Sequence, residues 1–362
     1  TLATTTGRIV SGLRSVWQGT DSNTFVQQTW PAAKKQMTSL QQAIEELALK
    51  LDQQIEAQLQ ASAATGMSGS GGGGVSTYDP NDPAQVADEM ERRLREEGLL
   101  TDDDPGQLYE EWLLNAAKRG VDIEEIIAIA RDHGITPEDF AVLEGMEKCP
   151  DPDGKTFFLL PEGISAADAQ KAVLMAYIYN AGTDYDAADD AGNKQNSGGS
   201  ANDYTETPYS SAEIQRIIDR QEANSWSYTQ DVAFVQGNGG QLVATPNGML
   251  MGLGGNWVQD QFSMQGGTTW GDIFMMNVDD PADPAATLKA VVAQGTNVNT
   301  SGGAGSIDLD RLLHHEEIHS QQWAEDGYAG FGLGYLWNEI TGKSGADNPY
   351  EQDAGLYDGG YK

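Results

Sequence analysis

The sequence predicts an α+β chain, mostly α: an N-terminal antiparallel helical hairpin, a helical middle region, and a C-terminal domain with a small β-sheet and a helix carrying His315-Glu316-x-x-His319. Three observations predict it. In the first half of the chain apolar residues recur three and four apart, the spacing of one helical face. From Tyr228 onward the pattern changes to short β-branched and aromatic runs between Gly-rich turns, which read as strands. A Gly/Ser-rich stretch separates the first 62 residues from the remainder.

A chain of 362 residues has room for two or three domains, and 39% hydrophobic residues supports real cores, while 43 glycines point to linkers. Residues 1–62 read as the hairpin. Ile9, Leu13 and Val16 share one helical face, and Trp17-Gln18-Gly19-Thr20-Asp21 forms the break, with Asp21 or Ser22 as the next N-cap. Met37, Leu40, Ile44, Leu47, Leu51, Ile55 and Leu59 then make a continuous seam, with Pro31 marking a kink or a start. Neither helix buries its stripe alone, so the two must pair with each other or with a partner chain.

Residues 63–77 are the linker. Residues 78–181 read as several helices, with Thr136-Pro137-Glu138-Asp139 as one start and Ser165 capping a helix over 164–179. Residues 182–203 form a flexible acidic loop. In residues 204–362, Asp231–Val235, Gln241–Ala244 and Gly271–Val278 read as strands, Pro284–Ala293 as a helix, and 308–324 as the motif helix. Asp151-Pro152-Asp153-Gly154 looks like the start of a calcium loop, but Lys155 and the lack of further spaced ligands make it a turn.

Charge narrows the function classes. With 55 acidic against 21 basic residues, the net charge is −34. Phosphate binding depends on Lys and Arg, so neither nucleic acid nor an anionic membrane surface is expected as a partner. The single cysteine, Cys149, excludes an intrachain disulfide and a Cys-based zinc site. No apolar run approaches the ~20 residues of a membrane helix, and no signal peptide is visible.

The chemistry concentrates in Leu312-Leu313-His314-His315-Glu316-Glu317-Ile318-His319. Residues four apart share a helical face, so His315 and His319 can grip one metal ion, and Glu316 sits one step round to take a proton from its water. Leu309, Leu312, Leu313 and Trp323 form an apolar stripe. Continued through the middle of the helix, that stripe places His315, Glu316 and His319 where a core would take Leu or Ile. Such burial costs several kcal/mol unless a metal or partner compensates. His314 points away from the pair. Catalytic zinc takes three protein ligands, so a third is needed downstream. Glu351 is preferred, because Asn348-Pro349-Tyr350-Glu351 reads as N-cap, Pro at the first position, then Glu on the first turn. Glu339, in Asn338-Glu339-Ile340-Thr341, is the alternative.

Three resemblances follow. His315-Glu316-Glu317-Ile318-His319-Ser320-Gln321-Gln322-Trp323, then Gly327-Tyr328, then Asn348-Pro349-Tyr350-Glu351-Gln352-Asp353-Ala354, resembles the small gluzincin-type metallopeptidase domains at the C-termini of bacterial polymorphic toxins. It covers roughly 268–356. It implies a zincin-like fold, Zn2+ held by His315, His319 and Glu351, and Glu316 as general base toward a peptide or protein substrate. Asn338-Glu339 instead is similar to the ligand dipeptide of thermolysin-like peptidases, but departs from them at Lys343. Tyr350 is the candidate donor to the developing oxyanion, with Tyr335, Tyr357 and Tyr328 as alternatives. The strand at Gly271–Val278 can offer an edge to an extended peptide.

Trp17-x-Gly19 at a hairpin turn, followed by Phe25 and Trp30, resembles the WXG-type substrates of type VII (ESX) secretion. Tyr78-Asp79-Pro80-Asn81-Asp82 and Tyr185-Asp186-Ala187-Ala188-Asp189 both fit the accompanying Tyr-x-x-x-Asp signal, which therefore discriminates little. The resemblance implies a secreted toxin or effector exported without a signal peptide. Its partners would be the secretion machinery or a helical-hairpin protein, and an immunity protein. The competing expectations are a non-enzymatic secretion substrate with a structural metal site, and a zinc amidase acting on cell-wall peptides.

Overall fold

The computed structural model describes residues 78–185, 207–254, 267–276, 282–297, 307–340 (backbone alone from 328), 347–355 and 358–359. The expected hairpin and linker, and most of the expected acidic loop, lie outside the described residues. Ser76–Lys362 form one compact unit. The architecture is mixed α+β and mostly helical, with one small mixed sheet.

Three helices open the unit: α1 (Pro83–Glu96), α2 (Gln107–Lys118) and α3 (Ile123–His133). Asp82 caps α1 by accepting from the Ala84 amide, with Pro83 at the first position. Thr136 and Asp139 do form a helix start, but the element is 3₁₀ and short, Pro137–Leu143. The stretch 78–181, expected as helical throughout, also supplies two strands, β1 (Glu147–Pro150) and β2 (Thr156–Leu159). The expected turn joins them. Asp151 Oδ1 accepts the Asp153 and Lys155 amides at 3.0 and 2.7 Å, and Gly154 takes the left-handed conformation. Helix α4 (Ala166–Asn180) follows, capped by Ser165.

Next come α5 (Ser211–Ala223), α6 (Ser225–Gly237), β3 (Gln241–Ala244), β4 (Leu250–Leu253), β5 (Gly267–Trp270), β6 (Ile273–Met276) and α7 (Pro284–Gln294). The expected strand at Asp231–Val235 is instead part of α6. Its buried residues Tyr228, Val232 and Val235 are spaced four and three apart, so helical packing outweighs the β-branched composition. A two-residue pairing of β7 (Thr296–Asn297) with β8 (Ile307–Asp308) leads into α8 (Leu309–Ile340), broken at Gly327 (φ 71°, ψ 165°). Helix α9 (Pro349–Ala354) is the last helix among the described residues.

The main sheet has the order β1-β2-β3-β4-β6-β5, antiparallel except between β4 and β6. Both faces are covered. Leu242, Ala244, Leu250, Ile273 and Met275 face the core made with α1 to α6. Val243, Met251, Leu253, Phe274 and Met276 face a second core with α7 and the apolar stripe Leu309, Leu312 and Leu313 of α8. A strand buried on both sides shows no polar alternation, which is why Leu250–Leu253 escaped the periodicity. At Gly252, in the middle of β4, a Cβ would lie 2.5 Å from Met275 Sδ and 2.7 Å from Leu242 Cδ2, so these two side chains fill the space a larger residue would take.

A buried ion network ties α8 to this scaffold. Arg220 of α5 donates from Nη1 to Glu317 at 2.8 Å and from Nε to Asp272 at 3.1 Å. Asp272, in the turn between β5 and β6, also accepts from Tyr228 (2.9 Å), Asn224 (3.3 Å) and Ser320. Glu317 further accepts from Tyr185 at 2.7 Å and Arg216 at 2.5 Å. Burial raises the Glu317 carboxyl, but Arg216 and Arg220 outweigh it and hold it below the ordinary carboxylate range. Replacing Arg220 by Met leaves two carboxylates short of a cation, and unfolding in urea should show a loss of about 3–5 kcal/mol. Because the Glu317 pKa is depressed on folding, its stabilisation is complete above the unfolded carboxylate pKa and is lost as pH falls through the lower folded value. Glu317→Gln should therefore flatten the acid limb of the stability–pH curve.

Candidate metal centre

The motif begins nearly two turns into α8. Asp308 starts the helix by accepting the Asp310 and Arg311 amides at 3.0 and 3.3 Å. Helical spacing then puts His315 and His319 on the buried face, each under 10% exposed. Asn348 accepts the Tyr350 amide at 3.1 Å and Pro349 takes the first position of α9, so Glu351 projects from a fixed turn. The three side chains converge. His315 Nε2 and His319 Nε2 are 3.1 Å apart, and each lies 3.4 Å from Glu351 Oε2. Among the described residues this is the one group of three or more His, Cys, Asp or Glu side chains close enough to hold an ion. Tetrahedral zinc with ligands at roughly 2.0–2.1 Å requires ligand atoms about 3.3 Å apart, which these separations match.

Each imidazole is held in the tautomer that bares Nε2. Carbonyls only accept, so His315 Nδ1 donates to Ala354 O and Gly355 O, both at 3.0 Å. His319 Nδ1 meets Gln322 Oε1 at 2.8 Å. The Gln322 amide cannot be turned round, because its Nε2 donates to Tyr350 O (3.1 Å) and Asp353 Oδ2 (3.0 Å). Gln322 therefore orients one ligand while tying α8 to the helix that carries another. Nothing was assigned to it from the sequence, although its place three residues after His319, on the same helical face, was the available signal.

Burial alone would lower the His319 pKa, yet hydrogen bonding and charge from Glu351 raise it to about 9. The Glu351 carboxyl is correspondingly held well below the ordinary carboxylate range, burial notwithstanding. A metal binding at His319 Nε2 therefore competes with a proton there.

Glu316 is buried beside the pair and accepts from Thr269 Oγ1 at 2.6 Å. Thr269 is on β5, and its carbonyl accepts Trp323 Nε1 at 3.0 Å. Nothing in the sequence links residues 47 positions apart, so Thr269 was not foreseen. The edge expected from Gly271–Val278 is corrected here. Strand β6 is flanked by β4 and β5, and β5 is the outermost strand among the described residues. The Tyr350 hydroxyl donates to Asp326 at 2.8 Å, and burial followed by that carboxylate raises its pKa. His314 is turned from the pair, its ring edge-on to Tyr185 and its Nδ1 3.7 Å from Asp358. Glu339 lies beyond the Gly327 break, and its side chain, like those of Tyr328, Tyr335 and Tyr357, falls outside the described residues.

In comparisons with protein-family models, curated proteins and solved structures, nothing matches this chain.

Purified protein should hold about one zinc per chain, measured by mass spectrometry after dialysis. His319→Ala and Glu351→Ala should each lose it, whereas Glu339→Ala should keep it. Since zinc displaces one proton from a site with pKa about 9, its affinity should rise about tenfold per pH unit below that value. Isothermal titration in buffers of different ionisation enthalpy would count the proton released.

Proposed function

We propose that this chain is a zinc-dependent metallopeptidase. The observation that carries the proposal is the convergence of His315, His319 and Glu351 to 3.1–3.4 Å, with the Glu316 carboxylate beside them. Closed structural zinc sites take four protein ligands. Three are gathered here among the described residues, which favours a catalytic over a structural role.

Zinc bound there would lower the pKa of a coordinated water and polarise the scissile carbonyl. The chain's own residues supply the rest. Glu316 takes the water proton as the oxygen adds to the carbonyl carbon, then delivers it to the leaving nitrogen as the C–N bond breaks. Thr269 fixes one carboxylate oxygen, Oε2, and so aims the other. Tyr350 is our candidate for stabilising the oxyanion, a role that requires its hydroxyl to exchange Asp326 for substrate. Strand β5, which carries Thr269, supports recognition of an extended polypeptide alongside the base. The resemblance to toxin-type gluzincin domains points the same way. The W-x-G hairpin resemblance adds export through a type VII-like route, with the secretion machinery and an immunity protein as partners.

Glu316→Gln separates a peptidase from a bystander metal site. It should retain full zinc while peptide cleavage falls by about 10²–10⁴-fold, because Glu316 is a base and not a ligand. Cleavage would be followed by mass spectrometry of a mixed peptide library. A wild type that holds no zinc, or a Glu316→Gln variant as active as wild type, sinks the proposal.

A further inference from the structure

One contact at the metal site has no role in the chemistry above. Gly359 lies against the imidazole of His315. A Cβ built there would fall 2.5 Å from the ring's Cε1, 2.7 Å from Nε2 and 3.0 Å from Nδ1. Gly359 is not among the glycines with positive φ, so its backbone would accept alanine. The obstacle to a side chain is the His315 ring.

The segment bearing Gly359 is anchored on the motif helix itself. Asp358 is fully buried and accepts from Arg311 Nε at 2.6 Å and from Arg311 Nη2. Arg311 and His315 are four apart on α8, hence on one face. The Gly359 amide donates to Gly355 O at 3.1 Å, and this same carbonyl accepts His315 Nδ1 at 3.0 Å. His315 is therefore held twice by one turn: its Nδ1 by the Gly355 carbonyl and its ring by the Gly359 backbone. Its partner ligand, His319, is held differently, through Gln322.

We propose that Asp358 and Gly359 form a clasp that positions His315 for metal binding, so that docking of this turn and uptake of the metal are coupled. The proposal rests on the metal-site reading above. Coupling between two equilibria is reciprocal. A docked clasp tightens metal binding, and bound metal holds the clasp docked. Arg311, Asp358 and Gly359 are positioning residues in this scheme; they act through His315, which with His319 and Glu351 would hold the metal.

The test uses the full chain and zinc itself, titrated in competition with a chromogenic chelator, together with thermal unfolding of the metal-free protein. Gly359→Ala should weaken zinc binding about 10–100-fold, the loss typical of removing support from a metal ligand. It should alter the visible spectrum of the cobalt-substituted site, and thermal unfolding of the metal-free variant establishes that it is folded. Asp358→Asn keeps the shape but removes the anchoring charge. It should weaken zinc in the same direction, and it decides the matter if Gly359→Ala fails to fold. In the wild type, zinc should slow hydrogen exchange at the Gly359 amide. Wild-type zinc affinity in a folded Gly359→Ala or Asp358→Asn protein overturns the clasp while leaving the metal site intact. If the wild type takes up no zinc, the metal-site reading falls and the clasp with it.

Discussion

Helix α8 turns a row of polar groups toward the interior, and much of the surrounding structure serves to compensate them. His315, Glu316, Glu317, His319 and Ser320 are all buried. A buried charge or imidazole without partners costs several kcal/mol. Each of these side chains finds a partner outside α8. Glu317 takes Arg216 and Arg220 from α5, Glu316 takes Thr269 from β5, Ser320 takes Asp272 from the β5–β6 turn, and the two histidines take Glu351 and the carbonyls at the end of α9. A change at α8 is thus felt at the sheet edge, at α5 and at the end of the described chain.

The apolar layers make that arrangement rigid. With helices on both faces of the sheet, β4 and β6 are locked by packing from two cores. Strand β5 extends beyond them from the same sheet, so Thr269 is presented to Glu316 by a supported strand and not by a loop. The same holds on the other side of the site, where an N-cap and a proline set the first turn of α9. Short supports of this kind suit chemistry that tolerates little displacement of its groups.

Much of the site was legible because its logic is local. Four-residue spacing on one helix brings His315 and His319 together whatever else the chain does. The Asn348-Pro349 start places Glu351 on a first turn by backbone rules alone. The strand at Gln241–Ala244, the helix from Pro284 and the Ser165 cap follow from composition and capping in the same way. The failures share a cause as well. Strand β4 and helix α6 were missed because two-sided burial erases alternation and because β-branched residues at helical spacing still pack as a helix. Strands β1 and β2 were hidden inside a stretch whose average character is helical.

The sequence by itself singled out His315 and His319 as a pair able to grip a metal and Glu316 as a group able to move a proton, since residue type and helical period are properties of a short segment; for the third ligand it offered both Glu351 and Glu339. Only the tertiary structure decided how those groups are held. Gln322 orienting His319, Thr269 aiming Glu316, Arg220 neutralising Glu317 and Gly359 resting on His315 each join backbone segments brought together by the fold. Contacts between distant segments depend on how sheet and helices pack, and no local pattern encodes that packing. For Gly359 in particular, what matters is the absence of a side chain, and its use becomes visible only when the neighbouring ring is in place.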